Sequence, residues 1–139
     1  MKDSRSQKGF TLIEIMVVVV IIGLLATLIL PRVLGRQEEA YVAKAKSDIR
    51  ALSSAVQLYK LDTFRFPSTS DGLDVLKTGG KDGRGYVDRL PADPWGNPYQ
   101  YLYPGERMEF DLFSFGADGR RGGEGVDADI GNWDLDEAR

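Results

Sequence analysis

Residues 10–30 read FTLIEIMVVVVIIGLLATLIL, an apolar stretch that carries one charge, Glu14, and stops at Pro31. At a helical rise of ~1.5 Å per residue, about 21 residues cover roughly 31 Å, which matches the hydrocarbon thickness of a bilayer. The stretch therefore predicts a membrane-spanning helix.

A secretory signal peptide is the first alternative. Its apolar core is usually only ~7–15 residues long and ends at a small-residue cleavage site. Here the small residue best placed for cleavage is Gly9, which precedes the apolar run and lies between Lys8 and Phe10. Cleavage at Gly9 would leave the apolar segment on the mature protein.

Composition limits the chemistry that this chain can perform. Its 139 residues include no cysteine and no histidine, and the formal net charge is −3. Thiolate and imidazole catalysis, disulfides and zinc sites of the usual ligand set are therefore excluded. The scattered basic residues give no nucleic-acid footprint. We expect neither an enzyme nor a nucleic-acid partner.

Charges around the apolar stretch give a weak indication of its orientation. Lys2, Arg5 and Lys8 precede it, whereas Arg32 and Arg36 follow it. The first group favours a cytoplasmic N-terminus under the positive-inside rule, and the second group partly opposes that bias.

Beyond Pro31 the pattern changes from uniformly apolar to striped. Apolar residues recur at alternating spacings of four and three, which predicts an amphipathic helix; they are Ala45, Ile49, Leu52, Val56 and Tyr59. We therefore predict one helix over 10–61, membrane-spanning over 10–30 and amphipathic over 31–61. Pro31 predicts a kink or local unwinding, because proline removes a backbone donor and clashes with the preceding turn.

Residues 62–139 have the composition of a small globular domain. A short helix is predicted at 71–77, capped by Thr69 or Ser70, followed by an ordered loop over 81–98. Alternation predicts two strands at 100–103 and 109–115, while a third strand has no clear sequence signal. The fold class is therefore α+β.

The loop over 116–130 is the candidate site for chemistry. It reads GADGRRGGEGVDADI, with three aspartates among glycines that let the backbone fold tightly. Such oxygen donors suit calcium, although the loop lacks EF-hand spacing and holds only one partial copy of the glycine-rich calcium nonapeptide. A solvated acidic turn is the alternative. A domain of about 78 residues without disulfides has a small core, and a structural metal is one way to stabilise it.

The N-terminal motif carries a family resemblance. Lys8-Gly9-Phe10-Thr11-Leu12-Ile13-Glu14, followed by the apolar run, resembles the type IV prepilin leader shared by pilins and pseudopilins. The resemblance implies that residues 1–9 are a leader, that a prepilin peptidase cuts between Gly9 and Phe10, and that Phe10 becomes N-methylated. It also implies that Glu14 acts in assembly by pairing with the amine of Phe10 in a neighbouring subunit.

The C-terminal half carries a second resemblance, to the major pseudopilin family of type II secretion. The carrying residues are 93–99 (DPWGNPY), 113–119 (FSFGADG) and 128–130 (ADI) before Trp133. The resemblance implies a pilin-like fold and one calcium ion. Its implied ligands are the side chains of Asp118, Asp127 and Asp129 and the backbone carbonyls near Phe115 and Val126.

The function that these resemblances imply is structural. The chain is expected to polymerise from the inner membrane into a periplasmic filament that drives export of folded proteins across the outer membrane. Expected partners are copies of itself, other pseudopilins, the prepilin peptidase, an inner-membrane assembly platform and membrane lipid. The expected topology is single-pass, with residues 62–139 in the periplasm of a Gram-negative bacterium. The alternatives are a type IV pilin, a minor pseudopilin, and a membrane-anchored calcium-dependent binding module.

Overall fold

A long N-terminal helix dominates the fold. The computed structural model describes residues 9–80 and 82–135, and the side chains of residues 28–34 lie outside that description. Helix α1 runs over Leu12–Thr63. Phe64 ends the helix in the left-handed conformation, with φ of 59°, and its N–H donates to Lys60 O at 2.8 Å. This is a common helix C-cap.

The helix is continuous across Pro31. Proline removes one backbone hydrogen bond, and the rest of a long helix can tolerate that loss. The predicted local unwinding is therefore wrong, and the predicted kink stays a prediction.

The chain divides into two compact units, Met1–Gln37 and Glu38–Arg139. In the second unit, helix α1 turns its predicted apolar face to the core. Each residue of that face is at most 6% exposed, namely Ala45, Ile49, Leu52, Val56 and Tyr59. The amphipathic prediction is confirmed.

The predicted short helix is a 3₁₀ helix at Gly72–Lys77. Neither Thr69 nor Ser70 caps it, so that prediction is wrong: the Ser68 hydroxyl accepts from Asp71 N–H at 3.1 Å instead. The Thr69 hydroxyl is occupied elsewhere, since it donates to Tyr103 O and accepts from Tyr103 N–H, both at 2.9 Å. This contact joins two distant parts of the second unit.

The sheet is antiparallel, with three strands in the order β1-β2-β3. They are β1 at Gln100–Leu102, β2 at Asp111–Ser114 and β3 at Ile130–Gly131. The two predicted strands are present but shorter than predicted. Strand β3 has only two residues, too few for hydrophobic periodicity to reveal.

The core lies between helix α1 and the sheet. Leu112 is fully buried and Ile130 is 5% exposed. Trp95 is half-buried against this core and meets Tyr41 edge-on at a centroid distance of 5.9 Å. Among the described residues of the predicted loop, Ala92 and Pro98 form one bridge. The predicted α+β architecture of a long helix on a small antiparallel sheet is confirmed.

Candidate functional site

The start of helix α1 is a reciprocal cap. Thr11 N–H donates to Glu14 Oε2 at 2.8 Å, and Glu14 N–H donates to Thr11 Oγ1 at 3.3 Å. This is a capping box, which satisfies two backbone donors that have no partner within the helix. Sequence reasoning missed it, although Thr followed three residues later by Glu is its known signature.

The first part of helix α1 is exposed in the described part of the chain. Every residue from 9 to 27 is exposed. The large apolar side chains from Phe10 to Leu25 are between 50% and 85% exposed. A monomeric soluble protein rarely leaves so much contiguous apolar surface in water, so this surface marks an interaction with lipid or protein.

No helix is long and apolar enough to cross a membrane among the residues that the structure describes. The predicted span 10–30 ends in residues 28–30, whose side chains are outside the description. The predicted leader likewise falls on residues 1–8, outside the described chain, apart from Gly9.

Gly116 opens the acidic loop after strand β2. Its φ is +73°, a conformation that favours glycine. The next residue, Ala117, donates its N–H to Val126 O at 2.9 Å. This hydrogen bond joins the two ends of the segment, so residues 117–126 form a closed loop.

The predicted ligands occupy different environments within this loop. Asp118 is exposed, and its Oδ1 accepts from Arg120 N–H at 2.9 Å. Asp129 is half-buried, and its Oδ2 accepts from Gly122 N–H at 3.0 Å. Asp127 ends the 3₁₀ helix Gly125–Asp127 and is half-buried, as Phe115 is.

These residues can be tested for their fit to a metal ion. Within the described ranges, no group of three or more acidic side chains is close enough to hold one. However, Asp129 Oδ1 is buried and has no hydrogen-bond partner among the residues that the structure describes. A buried carboxylate oxygen without a partner is costly, and a cation would satisfy it. The loop offers the oxygen donors that calcium binds. In the described residues, however, the predicted carboxylates do not come together as one metal-binding group.

A buried carboxylate beside this loop was missed by the sequence analysis. Asp111 is 3% exposed. Its carboxylate accepts from the backbone N–H groups of Glu106, Arg107 and Met108 at 2.7–3.3 Å. Arg121 from the acidic loop pairs with Glu106 in the same segment. Asp111 therefore holds the β1–β2 connection in the conformation that faces the acidic loop.

A second missed carboxylate is Asp93, which is 4% exposed. It accepts a hydrogen bond from the Ser114 hydroxyl at 2.6 Å. The available signal was the Asp-Pro-Trp-Gly-Asn sequence, because aspartate at the first position of a turn often accepts from the following backbone amides. The partner Ser114 could not be inferred from sequence.

Two tyrosine hydroxyls of the second unit donate hydrogen bonds to carboxylates. Burial, and then a 3.0 Å hydrogen bond to Asp48, raise the pKa of Tyr99 far above its ordinary value. Partial burial, and then a 2.8 Å hydrogen bond to Asp62, raise the pKa of Tyr86 to about 12. Both hydroxyls therefore stay protonated donors at neutral pH.

Comparison with known families identifies the chain. Residues 4–30 match the prokaryotic N-terminal methylation motif. Residues 32–133 match the model of type II secretion system protein G. The chain belongs to the type II secretion system protein G family.

Relatives in this family match nearly the whole chain. The type II secretion system core protein G of Pseudomonas aeruginosa is 56% identical, over 94% of this chain and 97% of its own length. The core protein G of Vibrio cholerae is 50% identical over 99% of each chain.

The fold agrees with a solved structure of the same kind. The major pseudopilin from the type 2 secretion system of enterohaemorrhagic Escherichia coli matches with a TM-score of 0.64 and 40% identity. The match covers 73% of this chain and 94% of that one. The predicted pilin-like fold is confirmed.

Membership of the protein G family makes this chain a pseudopilin, a structural subunit of the pseudopilus of the type II secretion system. Among the alternatives that the sequence left open, the relatives favour the major pseudopilin over a surface pilin or a minor pseudopilin. The methylation motif implies a membrane-anchored subunit.

Proposed function

We propose that this protein G family member waits in the inner membrane and then polymerises into a periplasmic filament that drives export of folded proteins across the outer membrane. One observation carries the proposal: the apolar segment, which lies within the matched methylation motif at residues 4–30, is exposed from residue 10 to residue 27.

The physical reason is that this surface needs a partner at each stage. Burying apolar surface is worth roughly 25 cal/mol per Å², so leaving it in water is unfavourable. Lipid can cover it before assembly. Copies of the same segment can cover it afterwards, because a helix that is apolar all round packs equally well against its own kind. The subunit can therefore move from the bilayer into a filament without exposing the segment.

Processing would occur at the Gly9–Phe10 bond. Both residues are exposed and precede the first turn of helix α1, so the bond is accessible to a prepilin peptidase. Cleavage would make Phe10 the first residue, with a new amine available for N-methylation. The free amine then lies close in sequence to Glu14.

Glu14 would pair with the amine of Phe10 in a neighbouring subunit during assembly. Once subunits leave the lipid and pack together, a buried ammonium and a buried carboxylate each need an opposite charge. In the single chain the Glu14 carboxylate accepts from Thr11 N–H instead. Assembly would replace or supplement that bond with a charged partner.

A calcium ion would stabilise the acidic loop. Its ligands would be the carboxylates of Asp118, Asp127 and Asp129, with backbone carbonyls near Phe115 and Val126. The buried Asp129 oxygen, which has no hydrogen-bond partner within the described ranges, supports the site. When bound, calcium would supply the positive charge that lets several carboxylates and carbonyls converge. A cation bound only by the folded loop would stabilise the native state by mass action.

The remaining parts of the proposal concern location and partners. We infer a single-pass inner-membrane protein, with its span at 10–30 and its C-terminal domain in the periplasm of a Gram-negative bacterium. Its partners would be further copies, other pseudopilins, the prepilin peptidase, the inner-membrane assembly platform and membrane lipid.

The test is to express the full chain together with a type II secretion apparatus and its prepilin peptidase. Electron microscopy should show thin filaments of this chain. Mass spectrometry of the filament subunit should show an N-terminus at methylated Phe10. Omitting the peptidase is the matched control, and it should leave unprocessed chain and no filaments.

Two results would contradict the proposal. One is a mature chain that still begins at Met1 while secretion is active. The other is a processed chain that stays monomeric in the membrane under conditions in which the apparatus exports its substrates.

A further inference from the structure

The turn over residues 93–97 is fixed by one buried carboxylate. Asp93 Oδ1 accepts from Asn97 N–H at 2.7 Å and from Trp95 N–H at 3.1 Å. In the backbone, Asp93 N–H donates to Asn97 O at 2.8 Å. The side chain and backbone of Asp93 thus hold both ends of the turn, and the turn has little freedom to move.

The second oxygen of this carboxylate reaches toward the acidic loop. Asp93 Oδ2 accepts from the Ser114 hydroxyl at 2.6 Å, and Ser114 is fully buried. The same hydroxyl accepts from Gly116 N–H at 3.1 Å. A serine hydroxyl has one proton and two lone pairs, so donating to Asp93 leaves a lone pair directed at Gly116. Asp93, Ser114 and Gly116 form a continuous hydrogen-bonded chain.

Gly116 is packed tightly against the returning side of the loop. A side-chain carbon at Gly116 would lie 2.7 Å from Val126 O and 2.8 Å from Ala128 O. The hydrogen bond that Gly116 N–H donates to the Ser114 hydroxyl fixes the orientation of the Gly116 amide. It therefore also fixes the backbone that faces residues 126–128, which include the proposed ligand Asp127.

The same turn lies near the outgoing side of the loop. A side-chain carbon at Gly119 would lie 3.5 Å from the Asn97 side-chain nitrogen, and φ at Gly119 is +65°. Gly119 directly follows the proposed ligand Asp118. The turn at 93–97 therefore approaches the loop at two points, one through Ser114 and one through Asn97.

We propose that Asp93 and Ser114 are positioning residues for the acidic loop. They fix the backbone at Gly116, so that the carbonyls and carboxylates of the loop can converge on a cation. This proposal rests on the calcium site proposed above. Residues that orient metal ligands without touching the metal commonly change its affinity by ~10–100-fold when substituted.

The experiment measures calcium binding by isothermal titration calorimetry on the full chain in detergent. Circular dichroism first establishes a temperature at which every variant is folded. Ser114→Ala should raise the Kd for calcium by at least about tenfold. Asp93→Asn is a second variant for the case in which Ser114→Ala does not fold. It keeps the shape, but it replaces one carboxylate oxygen by an NH₂ donor, so either the side that faces the turn or the side that faces Ser114 loses its acceptor.

Tyr101→Phe is the matched control. It also removes one buried hydrogen bond, from the Tyr101 hydroxyl to Pro67 O at 3.0 Å, but this bond does not involve the acidic loop. We expect it to lower the melting temperature without changing the calcium Kd. A purely structural role for Ser114 would give the same pattern as Tyr101.

The outcomes separate this proposal from the one on which it rests. Absence of calcium binding by the unsubstituted chain removes the calcium site itself. Calcium binding by the unsubstituted chain with an unchanged Kd in Ser114→Ala and Asp93→Asn overturns the positioning role alone. An equal loss of affinity in Tyr101→Phe overturns it as well.

Discussion

Glu14 accepts a 2.8 Å hydrogen bond from the backbone N–H of Thr11, so its carboxylate caps the helix of its own chain. The same carboxylate is the group proposed to pair with the amine of a neighbouring subunit. The two roles need different properties of the side chain. Capping needs an acceptor oxygen, which glutamine also has, whereas pairing with an ammonium needs a negative charge.

Glu14→Ala and Glu14→Gln should separate these roles. We expect both variants to insert into the membrane and to form few filaments, because neither can neutralise the amine of Phe10. Glu14→Gln should keep helix α1 capped and Glu14→Ala should not. Membrane fractionation measures insertion, and electron microscopy with the secretion apparatus measures assembly. Normal filaments from Glu14→Gln would show that capping, and not charge, is what assembly requires.

Calcium should raise the melting temperature of the chain in detergent. At a free concentration about 100 times the Kd, the stabilisation would be about 2.7 kcal/mol, which corresponds to a shift on the order of 10 °C for a small domain. Asp118→Ala should abolish most of this shift in differential scanning calorimetry.

Asp74→Ala is the control for the calcium experiment, because it removes the same charge. The Asp74 carboxylate pairs with Lys77 on the solvent-facing side of the 3₁₀ helix, and such a surface ion pair contributes little to stability. This variant should keep the full calcium-dependent shift. An identical melting temperature with calcium and with a chelator would contradict the proposed calcium site.

Asp111→Ala should destabilise the second unit by about 2 kcal/mol, because three backbone amides lose a charged acceptor. The loss is not larger because residues 106–108 are exposed, so water can hydrate their amides. Asp111→Asn should cost less, because one oxygen remains. Urea unfolding followed by tryptophan fluorescence measures this effect, since Trp95 and Trp133 both lie in the second unit. Unchanged unfolding in Asp111→Ala would contradict the anchoring role of this carboxylate.

Two leucines test where the core lies. Leu112 is 0% exposed and Leu61 is 69% exposed. Leu112→Ala should lower the free energy of unfolding by about 2–5 kcal/mol, because it removes buried methyl groups and leaves a cavity. Leu61→Ala makes the same chemical change at the surface and should stay within about 0.5 kcal/mol. Equal effects of the two substitutions would contradict the described packing.

Deprotonation of Tyr86 should lower the free energy of unfolding of the second unit at alkaline pH. Its folded pKa is raised to about 12, and an unfolded tyrosine titrates near ~10. The unfolded state therefore loses its proton first, and the stabilisation that is present below pH ~10 is lost as pH rises toward about 12. Urea unfolding across this range should show a shallower decline for Tyr86→Phe. The same decline in both proteins would mean that Tyr86 does not contribute to it.

Local patterns were sufficient for the elements that repeat a simple spacing. The run of apolar residues and the stripe from Ala45 to Tyr59 predicted helix α1 to within two residues at each end. Strands β1 and β2 followed from alternation. These features are readable because helix and strand periodicity is a property of consecutive residues, and burial of one face follows directly from it.

The long helix, the α+β class and the family of this protein follow from residues that are close together along the chain. The pairing of polar groups, in contrast, follows from the folded arrangement of distant segments. Ser114 donates to Asp93, the backbone amides of 106–108 donate to Asp111, and one buried oxygen of Asp129 has no partner in the described part of the chain. Such contacts join residues that are distant in sequence or lie in irregular turns. They depend on how loops close around the core, and no spacing along the chain encodes that closure.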